Sequence, residues 1–174
     1  MFWNVFRRSP ADTTANDDWW RDANAASLAP DRTIVDRLRS AIDPATTSPD
    51  EVENRQEMVD GLDALLALTS AAALPTILTQ HRVIGTDTCH LFVPATRAGE
   101  VAVPGKIFLT SGRLIFAGGR AESWAWHRVR KVTRSGRDVL VILAGSESGI
   151  HLQCNSHGDA LLVSYVASRL SAPR

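Results

Sequence analysis

The sequence predicts an α+β protein, in which an N-terminal helical segment precedes a small antiparallel β-barrel that is capped by a C-terminal helix. Apolar residues recur at helical spacing up to about Pro75 and then alternate with polar residues at a period of two. Glycine and proline interrupt this second part about every eight to twelve residues, as they do in barrels of short strands. After Ser156 the apolar residues return to helical spacing, and one apolar helix can close the open end of a barrel.

The N-terminal part divides into two segments. Residues 1–30 are expected to form a loose segment, because they are polar and rich in alanine, aspartate and asparagine. Residues 31–75 are expected to form an acidic segment of two helices. The second of these helices has a clear start, with Ser48 as its N-cap, Pro49 at the first helical position and Glu51 completing a capping box.

Residues 76–174 contain the predicted barrel and its helix. We expect no helix longer than about two turns before residue 156, and one helix over residues 156–170. The expected strands cover residues 77–84, 89–94, 106–110, 113–117, 123–126, 129–134, 139–143 and 149–155. The side chains expected to be buried are Phe108, Leu114, Phe116, Trp126, Leu140, Ile142, Leu152 and Leu162.

The hairpin within residues 105–116 resembles the signature of GRAM-type domains, which belong to the pleckstrin-homology-like superfamily. The order of the later elements, a strand, an aromatic-x-x-Val segment, a hairpin and a final helix, is also similar to that family. The resemblance covers about residues 76–170. It implies a seven-stranded, partly open barrel capped by a helix, which acts as an adaptor for lipid head groups, peptides or protein surfaces. The motif residues are Gly105, Leu109, Thr110, Arg113 and Leu114.

Composition places the chain among soluble globular proteins. It has 174 residues, of which 44% are hydrophobic and 22% are charged. No apolar run reaches the roughly 20 residues that a membrane helix requires. The start does not resemble a secretory signal, because Arg7 and Arg8 follow the apolar residues instead of preceding them. We therefore expect a cytoplasmic protein, and the excess of arginine over lysine is typical of GC-rich bacterial coding.

The net charge of zero conceals two oppositely charged halves. Residues 1–80 carry 7 basic and 13 acidic side chains, a net charge of −6, whereas residues 81–174 carry 12 basic and 6 acidic side chains, a net charge of +6. Either the acidic half covers the basic half within the molecule, or the basic half faces an anionic partner.

The strongest candidate site is a basic run in the barrel half. Eight basic residues lie within 32 residues that contain a single acid, Glu122. Alternate residues of a strand share a face, so Arg128 and Arg130 point one way and Lys131 the other, unless a bulge intervenes. With Arg134 they are the predicted ligand-binding residues. Each would contribute about 1 kcal/mol near an anionic lipid surface. The alternative is a solvated sheet face that the acidic helix partly neutralises.

Metal binding and catalysis are not expected. His81, Cys89, His90, Cys154 and His157 are of the types that bind zinc, and the last two have a C-x-x-H spacing. However, Cys89 and His90 are adjacent on a strand and face opposite sides, and no second pair exists. The favoured interpretation is two core cysteines and hydrogen-bonded histidines, with no metal and no cofactor. A disulfide between the cysteines stays open as an alternative.

Known catalytic motifs are also missing. Residues 145–149 have the outline of a nucleophile elbow, but a glutamate stands where the serine must be. Residues 99–106 do not form a phosphate-binding P-loop, because the spacing is one residue too long. Acids are sparse in the barrel half, which disfavours a catalytic carboxylate pair. A site assembled from distant residues is the alternative.

The N-terminus offers a second surface of interest. Phe2, Trp3 and Phe6, followed by Arg7 and Arg8, could anchor the chain in a membrane interface or dock onto the rest of the molecule. Nucleic-acid binding is not expected, because the aromatic residues of the barrel look like core residues.

Together these features predict a non-enzymatic interaction or adaptor module for an unidentified protein or anionic ligand, of undetermined oligomeric state. One alternative is a peripheral membrane protein that recognises anionic lipid through Arg128, Arg130, Lys131 and Arg134. A second alternative is a metal-dependent enzyme or sensor that uses the cysteines and histidines.

Overall fold

The structure, a computed structural model, describes residues 10–146 and 149–172. The helices in this part of the chain are α1 (Pro10–Ala26), α2 (Arg32–Ser40), α3 (Pro49–Ser70) and α4 (His157–Ser171). A short 3₁₀ turn, Trp126–Arg128, lies between the fourth and fifth strands. The strands are β1 (Cys89–Arg97), β2 (Val103–Thr110), β3 (Arg113–Gly118), β4 (Ala121–Ala125), β5 (Val129–Ser135), β6 (Asp138–Leu143) and β7 (Ile150–Cys154).

The seven strands form one antiparallel sheet in the order β4-β3-β2-β1-β7-β6-β5. Over the described residues the edge strands β4 and β5 do not pair with each other, so hydrogen bonds do not close the predicted barrel. The sheet is nevertheless strongly curled. Arg97 on β1 forms an ion pair with Glu122 on β4, although a flat sheet would hold these strands about 14 Å apart at about 4.8 Å per strand. The α+β class is confirmed, and the closed barrel is not.

Helix α4 fills the concave side of the curled sheet. Ser156 caps the helix, because its hydroxyl accepts a hydrogen bond from Asp159 N at 2.9 Å. One face of α4 then packs on the sheet, as predicted for residues 156–170. The core between them includes Ile107, Leu114, Phe116, Val139, Val141, Leu152, Ala160, Val163, Val166 and Ala167.

Seven of the eight predicted strands are present, with bounds within three residues of the expected ones. The expected strand over residues 77–84 is wrong, because this stretch makes only an isolated bridge between Ile77 and Cys89. Its apolar side chains serve a different purpose. Ile84 packs with Phe108 and Ile115 on the convex side of the sheet, and so covers apolar surface without pairing as a strand.

The predicted core is correct for five of its eight residues. Phe108, Leu114, Phe116, Trp126 and Leu152 are buried. Leu140 is 40% exposed, and Ile142 and Leu162 are only half-buried. On β6 the buried residues are Val139 and Val141, and on α4 they include Leu161 and Val163. The assignment of a face fails on β6 because residues 139–143 are all apolar, so alternation carries no information there.

The expectation of a loose segment over residues 1–30 is wrong for Pro10–Ala26, which form α1. The indole of Trp19 is buried and its Nε1 donates to Leu38 O at 3.1 Å, while Ala23 and Ala26 are also buried. Burial of this one stripe against other helices stabilises a sequence whose remaining face is polar. The aromatic residues Phe2, Trp3 and Phe6 lie outside the described residues.

Helices α1, α2 and α3 pack on the side of α4 that faces away from the sheet. Their shared core includes Trp19, Val35, Leu38, Met58, Leu62, Leu65 and Leu161 of α4. At the crossing of α3 and α4, Gly61 faces Gly158 so closely that a β-carbon on Gly158 would lie 3.1 Å from Gly61 Cα. The helical segment and the sheet therefore share α4 as their common layer. Among the described helices, none combines the length and apolarity needed to cross a membrane.

Candidate functional site

The predicted basic residues lie at one edge of the sheet. Arg128 ends the 3₁₀ turn, and Arg130 and Lys131 follow on the edge strand β5. The register of β5 against β6 shifts between Val129 and Lys131, which inserts a bulge at Arg130. Because of this bulge Arg130 and Lys131 are both exposed, as is Arg128, while Val129 is buried. The structure thus brings three cations together on one solvent-facing edge.

These three cations form no ion pair within the described part of the chain. The ion pairs of the helical segment lie elsewhere; Asp63 of α3, for example, pairs with Arg32 and Arg39 of α2. The acidic half therefore leaves this edge positively charged, and only one ion pair among the described residues joins the two halves.

That single ion pair involves Arg137, in the turn between β5 and β6. Its guanidinium donates to both carboxylate oxygens of Glu57, at 2.9 and 3.2 Å, and to Asn54 Oδ1 at 2.8 Å. Arg134 makes a similar link, because its Nη2 donates to Asn24 Oδ1 at 2.9 Å and Ser27 Oγ at 3.3 Å. Burial lowers the pKa of Arg134 below its ordinary value. Both arginines thus tie the sheet to the helices.

Glu57 is the centre of this contact. Its Oε2 also accepts a hydrogen bond from His157 N at 3.0 Å, which places a carboxylate at the positive N-terminus of α4. The ring of His157 packs 4.8 Å from that of Trp20, and its buried Nδ1 has no hydrogen-bond partner among the described residues. Burial and the nearby Arg137 lower the pKa of His157. Sequence reasoning missed this cluster because its members are far apart in the chain; Glu57 and His157 alone are separated by 100 residues.

The hairpin that carries the GRAM-type resemblance has a structural role. Thr110 Oγ1 lies 3.0 Å from Asp87 Oδ2 and accepts from Arg113 N at 3.1 Å, while Arg113 Nε donates to Asp87 at 2.9 Å. The indole Nε1 of Trp126 donates to Thr110 O at 2.7 Å. These bonds fasten the turn to the segment that precedes β1, so Thr110 and Arg113 of the motif have a structural role.

The cysteines and histidines are dispersed over the molecule. Both thiols are free and buried, and burial raises their pKa values; that of Cys154 rises to about 12, with Asp159 and Asp138 adding to the effect. His90 Nδ1 lies 2.8 Å from Pro75 O. Over residues 10–146 and 149–172, no three side chains of His, Cys, Asp or Glu are grouped so that they could hold a metal ion.

A pocket opens beside the basic edge. Its volume is about 370 Å³, and Ser111, Trp126, His127 and Leu170 are among its lining residues. His127 immediately precedes Arg128 in the chain, but Arg128, Arg130 and Lys131 do not line the pocket.

Comparison with known proteins finds structural neighbours of low similarity only. No protein-family model matches the chain, and no curated protein matches it. Among solved structures, the C-terminal domain of an unknown protein from Leishmania infantum is 14% identical with a TM-score of 0.45, and the match covers 52% of this chain and 91% of that one.

Two longer proteins are similar over nearly the whole chain. The DH/PH domain of human ARHGEF11, solved in a ternary complex with human RhoA and its inhibitor, is 11% identical with a TM-score of 0.44; the match covers 95% of this chain and 56% of that one. The FERM and C-terminal domain complex of Drosophila Merlin is 9% identical with a TM-score of 0.42. That match covers 97% of this chain and 58% of the Merlin chain. This chain thus spans little more than half of either. No activity or partner is transferred at these low TM-scores.

Proposed function

We propose that this protein is a non-catalytic interaction module that binds an acidic segment of a partner protein through Arg128, Arg130 and Lys131. The observation that carries the proposal is the bulged edge of β5, where these three cations are exposed and form no ion pair among the described residues. A carboxylate-rich partner would supply the charges that the helical segment of this chain does not. The two cysteines are not activated as nucleophiles, because burial raises the pKa of each thiol.

The proposal includes a pleckstrin-homology-like architecture for residues 76–174, with residues 31–75 as a helical cover. It is supported by the strand order and by the C-terminal helix that packs in the concave face. The finer GRAM-type assignment rests on one hairpin, in which the first strand ends in Leu109 and Thr110 and the second begins with Arg113 and Leu114. Within this module Arg134 acts indirectly, because it holds α1 against β5 and so positions the edge.

A protein partner fits this edge better than a membrane surface does. Three cations near anionic lipid contribute about 1 kcal/mol each, which is too little to hold a protein on a membrane. Peripheral proteins add apolar side chains that enter the interface. Here the neighbouring Trp126 and Val129 are buried, so the edge offers no such anchor. Basic residues on a bulged edge strand also discourage edge-to-edge aggregation, which is the simpler role that the experiment must exclude.

The test uses the full chain and a fluorescent decapeptide of glutamate and aspartate, with binding followed by anisotropy. In the test variant Arg128, Arg130 and Lys131 are replaced by serine. A matched control replaces three other exposed arginines, Arg21, Arg82 and Arg120, and so changes the net charge equally. We expect the test variant to bind at least about tenfold more weakly than wild type, since three contacts of up to about 1 kcal/mol are lost. The control should bind like wild type.

Salt and lipid provide two further comparisons. Because the Debye length falls from about 14 Å at 50 mM salt to about 6 Å at 300 mM, binding to the edge should weaken steeply between them. Equal loss in the control variant, or no binding by wild type at 50 mM salt, would refute the proposed edge site. Tighter binding to phosphatidylserine vesicles than to the peptide, abolished by the triple substitution, would replace the protein partner by a membrane.

A further inference from the structure

A second charged surface lies on the exposed face of α3. There the loop that joins α2 to α3 forms a groove of about 500 Å³. Pro44, Pro49 and Val52 give the groove an apolar lining, and Glu53 and Asp60 add carboxylates. Both acids are exposed and form no ion pair among the described residues, so the groove keeps a negative charge beside its apolar lining.

The basic edge of β5 complements this groove in charge and in spacing. Its cations Arg128, Arg130 and Lys131 are exposed and likewise form no ion pair within the described part of the chain. Glu53 and Asp60 are seven residues apart on one helix, which is about 10.5 Å at 1.5 Å per residue. Arg128 and Lys131 are three residues apart, which is at most about 10 Å at 3.3 Å per residue. Two cations of the edge therefore have the spacing of the two carboxylates.

Arginine side chains also suit the apolar lining of the groove. Their aliphatic stems lie along apolar surfaces while the guanidinium groups stay at the charge, and a guanidinium binds a carboxylate through two parallel hydrogen bonds. We propose that the basic edge of one molecule binds the α3 groove of a second copy. This inference rests on the proposed function, because it names the acidic partner of the edge as another molecule of this chain.

The edge and the groove of one molecule do not meet. Among the described residues, no ion pair joins them. Glu57 of the groove is bound by Arg137, which lies in the turn at the opposite end of β5 from the edge. Each molecule therefore keeps both surfaces open to other copies, and a contact between unlike surfaces leaves one edge and one groove for a further copy unless a ring closes.

The experiment measures the weight-average mass of the full chain by sedimentation equilibrium, from about 10 μM to about 1 mM protein in about 50 mM salt. The groove variant carries Glu53→Arg and Asp60→Arg, and the edge variant carries Arg128→Glu, Arg130→Glu and Lys131→Glu. We expect wild type to self-associate. Each variant alone should associate at least about tenfold more weakly, because its two surfaces then carry charge of the same sign.

An equimolar mixture of the two variants is the decisive sample. The reversed groove of one variant then meets the reversed edge of the other, and their two unchanged surfaces also complement each other. We expect mixing to restore association to within about threefold of wild type. Two controls reverse the same number of exposed charges elsewhere: Asp36→Arg with Glu100→Arg, and Arg21→Glu with Arg82→Glu and Arg120→Glu. Each control alone should associate to within about threefold of wild type, since its edge and groove are unchanged.

Three results would overturn the inference: wild type that stays monomeric up to about 1 mM, association that either variant retains, or a mixture that does not associate. The acidic decapeptide should also weaken association, because it binds the same edge, and association that it leaves unchanged would show that copies meet through another surface. A monomeric wild type that still binds the decapeptide would refute this inference alone. A wild type that does not bind the decapeptide would refute the proposed function and this inference with it.

Discussion

Replacing Gly61 with alanine tests the close crossing of α3 and α4. A β-carbon at residue 61 would lie 3.4 Å from both N and C of Gly158, and closer still to the Cα between them. Carbon atoms prefer about 3.5 to 4.0 Å, and the obstructing atoms are backbone, which cannot rotate away. The two helices would therefore have to separate. The cores on both sides of α4 would be disturbed by this movement.

Two opposing effects decide the result. Overpacking of this kind destabilises a protein by about 1 to 3 kcal/mol. Alanine in the interior of a helix is favoured over glycine by about 1 kcal/mol. Because both neighbours are backbone and Leu62 and Leu161 are buried beside the crossing, we expect the upper end of the overpacking range and a net loss of about 2 kcal/mol. For a chain of this size that corresponds to a lower Tm by about 4 to 8 °C.

The assay is urea unfolding followed by far-UV circular dichroism. Ala67→Gly on the exposed face of the same helix measures the propensity term alone and should destabilise by about 1 kcal/mol. A Gly61→Ala protein that is more stable than wild type, by roughly the amount that the control loses, would refute the close crossing. It would mean that propensity is the only effect at this position.

Two further predictions concern the core and the contact between helices and sheet. Trp126→Ala should lower the free energy of unfolding by about 3 to 5 kcal/mol in urea titrations, because a buried indole and its bond to Thr110 O are lost; a Tm change of under about 2 °C would contradict this. Because the pKa of His157 is lowered in the folded protein, the unfolded chain protonates this histidine more readily. The stability that the neutral imidazole contributes to the folded protein is therefore present above pH 6.5 and is lost as the pH falls below that value. Urea midpoints at pH 7.5 and 5.5 should show a smaller drop in His157→Gln than in wild type, and equal drops would exclude this histidine as the cause.

Signals that act within a few residues were sufficient to predict much of the fold. Ser48 caps α3 as expected, since its hydroxyl accepts from Glu51 N three residues later at 3.4 Å. Seven strands and α4 follow from alternation, turn residues and the cap at Ser156. The GRAM-type resemblance implied the same number of strands. These features involve atoms that are neighbours in the chain, so the sequence contains them directly.

Other features were decided by which surfaces meet. Helix α1 has a polar composition and becomes a helix because Trp19 and Ala23 find partners on α2 and α3. Every residue from 139 to 143 of β6 is apolar, so the sequence does not indicate which side chains face inward. The pairing of β6 with β5 and β7 decides this. The stretch from Ile77 to Ile84 has the composition of a strand but covers the sheet, whose convex side would otherwise expose Phe108.

The candidate site shows the same division. The density of positive charge in the sequence was enough to predict four residues for it, of which Arg128, Arg130 and Lys131 are exposed at the sheet edge and Arg134 bonds to Asn24 and Ser27. The bulge that turns Arg130 and Lys131 to the same solvent-facing edge depends on how β5 pairs with β6. The partners of Arg134 and Arg137 lie 80 to 110 residues away in the chain. Caps and turns need only atoms a few residues apart, whereas the exposure and pairing of a charge depend on surfaces that meet only after the chain has packed.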